Sequence, residues 1–391
     1  MSNRKKVLLG ILSVFVLFSV LVTSTVAGIL ISNYDHVGRM VKVLSLIKTD
    51  YLEAVTPVQL IDGAMKGIVD SLGDQYSQYL DPKENQHMSD VIEGRFGGVG
   101  ILLSLKDEKQ LLVMRPIKNS PAEKVGIKSG DIIVKIDDVE TSTITQDKAV
   151  SLMRGKEGTQ VVITVYREAE KKMLPFTITR EVINIPTVEG EMLPGNKDIG
   201  YINISQFSSE TGVELGKVIS DLLPKNPKGI ILDLRFNHGG ELNSAVKVAS
   251  YFVPKGPVVY IVDKYGNTEE KKALGNNLGI PLVVLVNEES ASASEIVAGA
   301  IKDTQSGSLV GTKTFGKGIV QTIYQLDAGA GVKLTTAKYL TPNKLDIHKK
   351  GIEPDFKVEL GKGQTVVQPP EGQDDFDDQL KKAIEVLTHK F

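Results

Sequence analysis

The chain has 391 residues, 41% hydrophobic and 24% charged, which supplies apolar surface for two or three packed units and argues against a disordered polymer. A formal net charge of -2 offers no basic stripe to a phosphate backbone, so no nucleic acid partner is expected. Cysteine is absent, which removes disulfides, thiolate nucleophiles and Cys-ligated zinc together, and the five histidines form no H-x-x-x-H or H-E-x-x-H pattern, so neither metal nor other cofactor is expected.

Arg4, Lys5 and Lys6 precede an uncharged, mostly apolar stretch from Val7 to Ile31. At about 1.5 Å per residue a helix of that length crosses a bilayer core of roughly 30 Å. Basic residues ahead of it hold that end in the cytoplasm. Residues 1–34 therefore read as a signal-anchor or signal peptide: single-pass in the cell membrane with the remaining chain extracytoplasmic, or secreted if cleavage occurs near the small residues Thr23, Ser24, Thr25 and Ala27.

Residues 35–90 read as a helical arm. Val41, Leu44 and Ile47, then Leu60, Ile61, Met65 and Ile68, recur at helical spacing, and Pro57 after Thr56 suits a helix start. Such an arm serves packing or a homodimer. From Phe96 the period shortens to two. Residues 91–175 predict a β-rich domain, with a helix over Gln146–Met153 and a closing strand over Val161–Tyr166. Residues 176–360 alternate β-branched runs (Tyr201–Ile204, Ile230–Leu234, Val258–Val262, Leu282–Val286, Ile319–Ile323) with helical patterns at 209–223, 241–253 and 290–302. That order predicts an α/β core with a mixed or largely parallel sheet. Residues 361–391 read as a Pro/Gly/Gln/Asp-rich linker and a short amphipathic helix from about Asp378.

The chemistry starts at Asn287–Ile301, where Ser290, Ser292 and Ser294 open a helix whose first amides can stabilise negative charge. Spacing alone leaves all three serines open, and an ordinary capped helix start fits as well. A hydroxyl needs a base, and Lys317 stands between Gly316 and Gly318, which let the backbone approach another segment closely. Strict alternation would place Lys317, Ile319 and Gln321 on one face, with the Gln321 amide in reach of the amine. A free lysine has a pKa of about 10.4, so the site must favour its neutral form. In DLRFNHGG (233–240), Gly239 could supply one oxyanion amide and Ala293 the other. A Ser-His-Asp arrangement would instead enlist His238 and Asp233, but Asp233 is embedded in an apolar strand and lies too near His238 in sequence to face it without a special turn. In the β-rich domain, the loop Gly98-Val99-Gly100-Ile101 can turn amides toward a terminal carboxylate, with Arg154 adding charge complementarity.

Together these segments resemble the carboxyl-terminal processing protease family. The matching stretches are FGGVGILL (96–103) and SPAEKVGIKSGDIIVKID (120–137) for a PDZ domain, then GYINISQFS (200–208), GIILDLRFNHGG (229–240), VLVNEESASASEIVAGAIKD (284–303), GTKTFGKGIVQ (311–321), KLTTAKYLTPN (333–343) and GIEPD (351–355). The resemblance implies an α+β multidomain protein with a crotonase/Clp-like sheet and an inserted PDZ domain that recognises apolar C-terminal tails of proteins or peptides. It also implies a serine endopeptidase with Ser292 as nucleophile, Lys317 as base and Gln321 orienting the lysine. His238 stands where Pro, Gly or Asn is usual in that motif. The alternative is a non-catalytic PDZ-containing binding or adaptor protein on the same scaffold.

Overall fold

The computed structural model describes residues 34–106, 110–362, 364, 366 and 376–391. The apolar stretch 7–31 lies outside the described residues. Among the described residues no helix is long and apolar enough to cross a membrane.

One unit runs to Tyr79 and the other from Leu80 to Phe391. In the first, helices occupy Tyr34–Asp50 and Pro57–Asp70. The second starts where expected: the Thr56 hydroxyl accepts from Gln59 N, the Gln59 side chain accepts from Thr56 N at 2.9 Å, and Pro57 sits at the first helical position. Met40, Val43, Leu44 and Leu60 line an open groove of these helices, and Val41, Val58, Ile61 and Ile68 are more than half exposed.

The second unit opens with a helix over Pro82–Glu93, capped by Asp81 and Glu84 and ended by Gly94 in the left-handed region. A β-rich module follows. Its sheet runs, in spatial order, Ile101–Lys106, Gln110–Pro116, Ile132–Ile136, Gln160–Arg167 and Lys172–Thr179, all antiparallel, with the helix Gln146–Met153 as predicted. Val113, Ile133, Ile136, Ile163 and Val165 fill its own core. Ile101–Lys106 is one of its two edge strands.

The remaining residues build a six-stranded sheet in the order Val188–Met192, Ile199–Ile204, Gly229–Asp233, Leu282–Val286, Ser308–Gly311 and Phe356–Lys357. Only the first pair is antiparallel. Both faces are buried, so the strands are near-continuous apolar runs. Ile202, Ile230, Leu232 and Val284 pack under the helices Thr211–Leu222, Leu242–Ser250 and Ala293–Asp303, while Tyr201, Ile231, Val283 and Leu285 pack on Leu380, Ala383 and Leu387 of the helix Asp378–Thr388. A second sheet orders Ile319–Gln325, Gly331–Leu340, Pro257–Asp263 and Thr268–Lys272 side by side.

Asp233 and Arg235 lie at the end of the central strand and are fully buried. The Arg235 guanidinium donates to Asp233 Oδ2 at 2.7 Å and to Asp377 Oδ1 at 2.9 Å, and the Tyr201 hydroxyl donates to Asp233 Oδ2 at 2.7 Å. Asp377 also caps the last helix by accepting from Leu380 N. The segment that reads as a linker therefore supplies a buried counter-ion to the core.

Candidate active site

The strand Leu282–Val286 delivers the chain to Ser290, Ser292 and Ser294, and hydrogen bonding separates the three. Ser290 Oγ donates to Leu234 O and Ser294 Oγ to Asn237 O, both at 2.8 Å, and both residues are fully buried. Ser292 instead lines a cavity of about 750 Å³. Its backbone is strained, with φ 54° and ψ -112°, outside the wells that residues with a Cβ ordinarily occupy. The strain is held from both sides: Ser292 N donates to Glu295 Oε2 at 2.9 Å, and Ser292 O accepts from the Tyr339 hydroxyl at 3.0 Å and from Glu295 N at 2.9 Å.

Glu295 ties the serine to the lysine. Its fully buried carboxylate accepts from Thr314 Oγ1 at 2.6 Å and Gly316 N at 2.8 Å on one oxygen, and from Ser292 N and Lys317 N on the other. The Ser292 and Lys317 main chains thus meet within two hydrogen-bond lengths. Sequence reasoning passed over Glu295, although Ser-x-x-Glu at a helix start is a capping signature that could have drawn attention to it. Burial, and then the charge of Glu295, pushes the Tyr339 phenol well above its ordinary value.

Lys317 and Gln321 line the same cavity. The glycines around Lys317 allow the close approach expected of them: a Cβ on Gly316 would meet Gly351 N at 2.8 Å, and one on Gly318 would meet His348 N at 2.7 Å. The pairing of this strand with Gly331–Leu340 shifts register between Val320 and Gln321, and the extra residue, Thr336, is on the partner strand. Ile319 and Gln321 line the cavity with Lys317, as do Val320, Thr322 and Ile323, and Gln321 Nε2 is buried with no partner among the described residues.

Gly239 and Ala293 are adjacent at the cavity wall. Gly239 has φ +98°, and a Cβ there would lie 2.8 Å from both Ala293 N and Ser292 Cβ, so only glycine fits. No described residue accepts from the Ala293 amide. The Gly239 amide donates to Asn237 Oδ1 at 2.9 Å, so in this conformation it faces its own turn. The histidine arrangement is not assembled: Asp233 is engaged by Tyr201 and Arg235, while His238 is largely exposed, 3.3 Å from Glu289.

In the β-rich module, Val99, Gly100, Ile101 and Arg154 line a groove of about 220 Å³ between the edge strand and the helix Gln146–Met153. Ala122 N donates to Val99 O and Ile117 N to Gly100 O. In a trans peptide the next amide points the opposite way, so the N–H groups of Gly100 and Ile101 face away from the module's core. Gly98 is instead the last residue of the strand Arg95–Gly98, paired with Glu181 and absent from the groove lining. The Arg154 guanidinium lies over the Phe96 ring at 4.5 Å and against Asp90 at 3.4 Å.

Known proteins align with this chain along most of its length. The profile of peptidase family S41 matches residues 198–358, that of a PDZ domain residues 112–167, and that of the activating protease CtpB N-terminal domain residues 24–84. The carboxy-terminal processing protease CtpA of Bacillus subtilis is 41% identical over 331 residues, covering 84% of this chain and 70% of that protein. The carboxyl-terminal-processing protease of Synechocystis sp. is 37% identical over 330 residues, covering 83% and 76%. Among solved structures, a Bacteroides fragilis protein named as an S41 protease shares the fold with a TM-score of 0.53 at 18% identity, covering 89% of this chain and 97% of that one.

Proposed function

The chain belongs to peptidase family S41 as a serine-type carboxy-terminal processing protease, and from that premise we propose that Ser292 is its nucleophile and Lys317 its general base. The observation that carries this reading is the sorting of three serines by their hydrogen bonds: two are spent on backbone carbonyls, and the third shares a cavity with Lys317 and Gln321. In the forward step, neutral Lys317 takes the Ser292 proton and the hydroxyl oxygen attacks the scissile carbonyl. The lysine then returns the proton to the leaving amine, and water releases the acyl-enzyme. Gln321 positions the lysine through its carboxamide. The Ala293 amide receives the oxyanion, joined by Gly239 when the substrate carbonyl displaces Asn237 Oδ1.

Substrates are protein or peptide chains ending in apolar residues. The tail adds to the edge strand Ile101–Lys106, its carboxylate meeting the Gly100 and Ile101 amides and Arg154. Residues 7–31 fasten the protein to the membrane with the protease extracytoplasmic, or leave it secreted after cleavage, and the uncovered apolar face of the arm accepts a second copy. A purely non-catalytic adaptor is not favoured, since the curated relatives are named as proteases.

The test is degradation of β-casein and of a reporter with an apolar tail by the purified protein. Ser292→Ala and Lys317→Ala should each reduce turnover by at least about a thousandfold. Turnover retained in both variants would overturn the assignment.

A further inference from the structure

The long cavity carries a cation that the catalytic reading leaves unused. Lys333 lines its far end, on the strand Gly331–Leu340 opposite Ile323. Tyr339, six residues further along that strand, is the residue whose hydroxyl holds Ser292 O, so the two main-chain positions are about 20 Å apart. Ile319 to Ile323, all lining the cavity, span about 13 Å. Ile319–Gln325 has one neighbour in its sheet among the described residues, and its residues 319–323 line the cavity together with Met88, Val91 and Ile92. A substrate laid there as an added strand passes Ser292 at one end and Lys333 at the other.

The other charged groups of this wall are spoken for. Lys317 is the proposed base. The Glu241 carboxylate accepts from the amides of Asn243 and Ser244 at a helix start, and His238 faces Glu289. Lys333 is half-buried and paired with Ile323 in the sheet, and its side-chain amine has no hydrogen bond or ion pair with any described residue. A cation kept in a mostly apolar channel without a partner favours an anionic visitor, because the pairing is little screened there.

We infer that Lys333 is a specificity-determining residue that receives a carboxylate of the bound peptide about four to six residues from the bond that is cut. That carboxylate belongs to an Asp or Glu side chain or to a chain terminus at the same distance. The inference rests on the catalytic reading for the position of the cut.

The experiment uses the full chain and matched peptides with an apolar tail, in which Glu, Gln or Lys is placed at each position three to seven residues from the cut. A second series places a free or an amidated terminus at those positions. The cut itself is located by mass spectrometry. The wild type should show one position where the carboxylate raises kcat/KM about tenfold. Lys333→Met should bring that ratio to about one, Lys333→Arg should keep it, and Lys333→Glu should invert it in favour of Lys at the same position. A ratio near one throughout in the wild type, or a preference that survives Lys333→Met in a variant of unchanged Tm, overturns the inference. Binding of the same peptides to Ser292→Ala protein reads the ratio without turnover. Failure of the catalytic reading would appear as turnover kept by Ser292→Ala, and failure of this inference as a wild-type ratio near one or a ratio that Lys333→Met leaves unchanged.

Discussion

The serine corner and the peptide groove of the β-rich module are built on opposite principles. At the corner, a strained Ser292 has both its backbone N–H and its C=O held, and one buried carboxylate accepts four hydrogen bonds from the segments that carry Ser292 and Lys317. At the groove, position is set by backbone turns and an edge strand, and the charged group, Arg154, is partly exposed and shared between Phe96 and Asp90. Bond-making chemistry needs atoms placed within fractions of an ångström, whereas strand addition tolerates adjustment. Polar changes at the corner should therefore cost far more than polar changes at the groove.

The largest effect is expected beneath the corner. Arg235→Ala leaves Asp233 and Asp377 buried without their cation and should destabilise the fold by about 3–5 kcal/mol in chemical denaturation. A loss below about 1 kcal/mol would mean that water reaches the cluster. Next comes Glu295→Gln, which keeps the shape but turns a donor toward amides that need an acceptor. It should lower kcat about a hundredfold, or about 2.7 kcal/mol, with KM little changed, and Glu295→Asp should recover part of it. Equal loss in kcat and in KM would make Glu295 a substrate contact instead.

Tyr339→Phe removes one bond to the strained residue and should cost about 1 kcal/mol. The same tyrosine gives a pH signature. Burial raises the phenols of Tyr201 and Tyr339, so the neutral form is favoured in the folded state. That contribution is complete below the ordinary tyrosine value of about 10 and fades as pH rises above it. Alkaline titration should show Tyr201 and Tyr339 ionising only as the fold is lost; ionisation of either in the folded protein would refute its burial. Arg154→Ala, at the groove, should have the smallest effect: a KM raised a few-fold for tailed peptides, kcat retained and stability within about 0.5 kcal/mol.

What was legible from sequence divides along the same line. Segments whose signal is local read correctly: the helix Gln146–Met153 by its period, the Thr56-Pro57 start by its cap, and the strand Leu282–Val286 by its apolar run. The glycines beside Lys317 foretold a close approach because only a missing Cβ permits one. What stayed hidden depends on partners far apart in the chain. Asp377 sits in a stretch whose composition suits solvent, and nothing local says that Arg235, buried 142 positions earlier, requires it. Glu295 reads as a helix cap because it is one; that its second oxygen also holds Lys317 N is a fact of tertiary structure. The register shift after Val320 likewise has no marker, since neither residue there is a glycine or proline. Strands such as Val188–Met192, with two glutamates and a glycine, carry too little apolar alternation to be seen.

The most direct test is the rate at which a fluorophosphonate labels the full-length protein, with the modified residue mapped by mass spectrometry. Ser292 alone among the serines should be labelled, faster as pH rises and an amine loses its proton, and at least about a hundredfold more slowly in Lys317→Ala. Label on Ser290 or Ser294, or an unchanged rate at Ser292 without Lys317, would contradict the account.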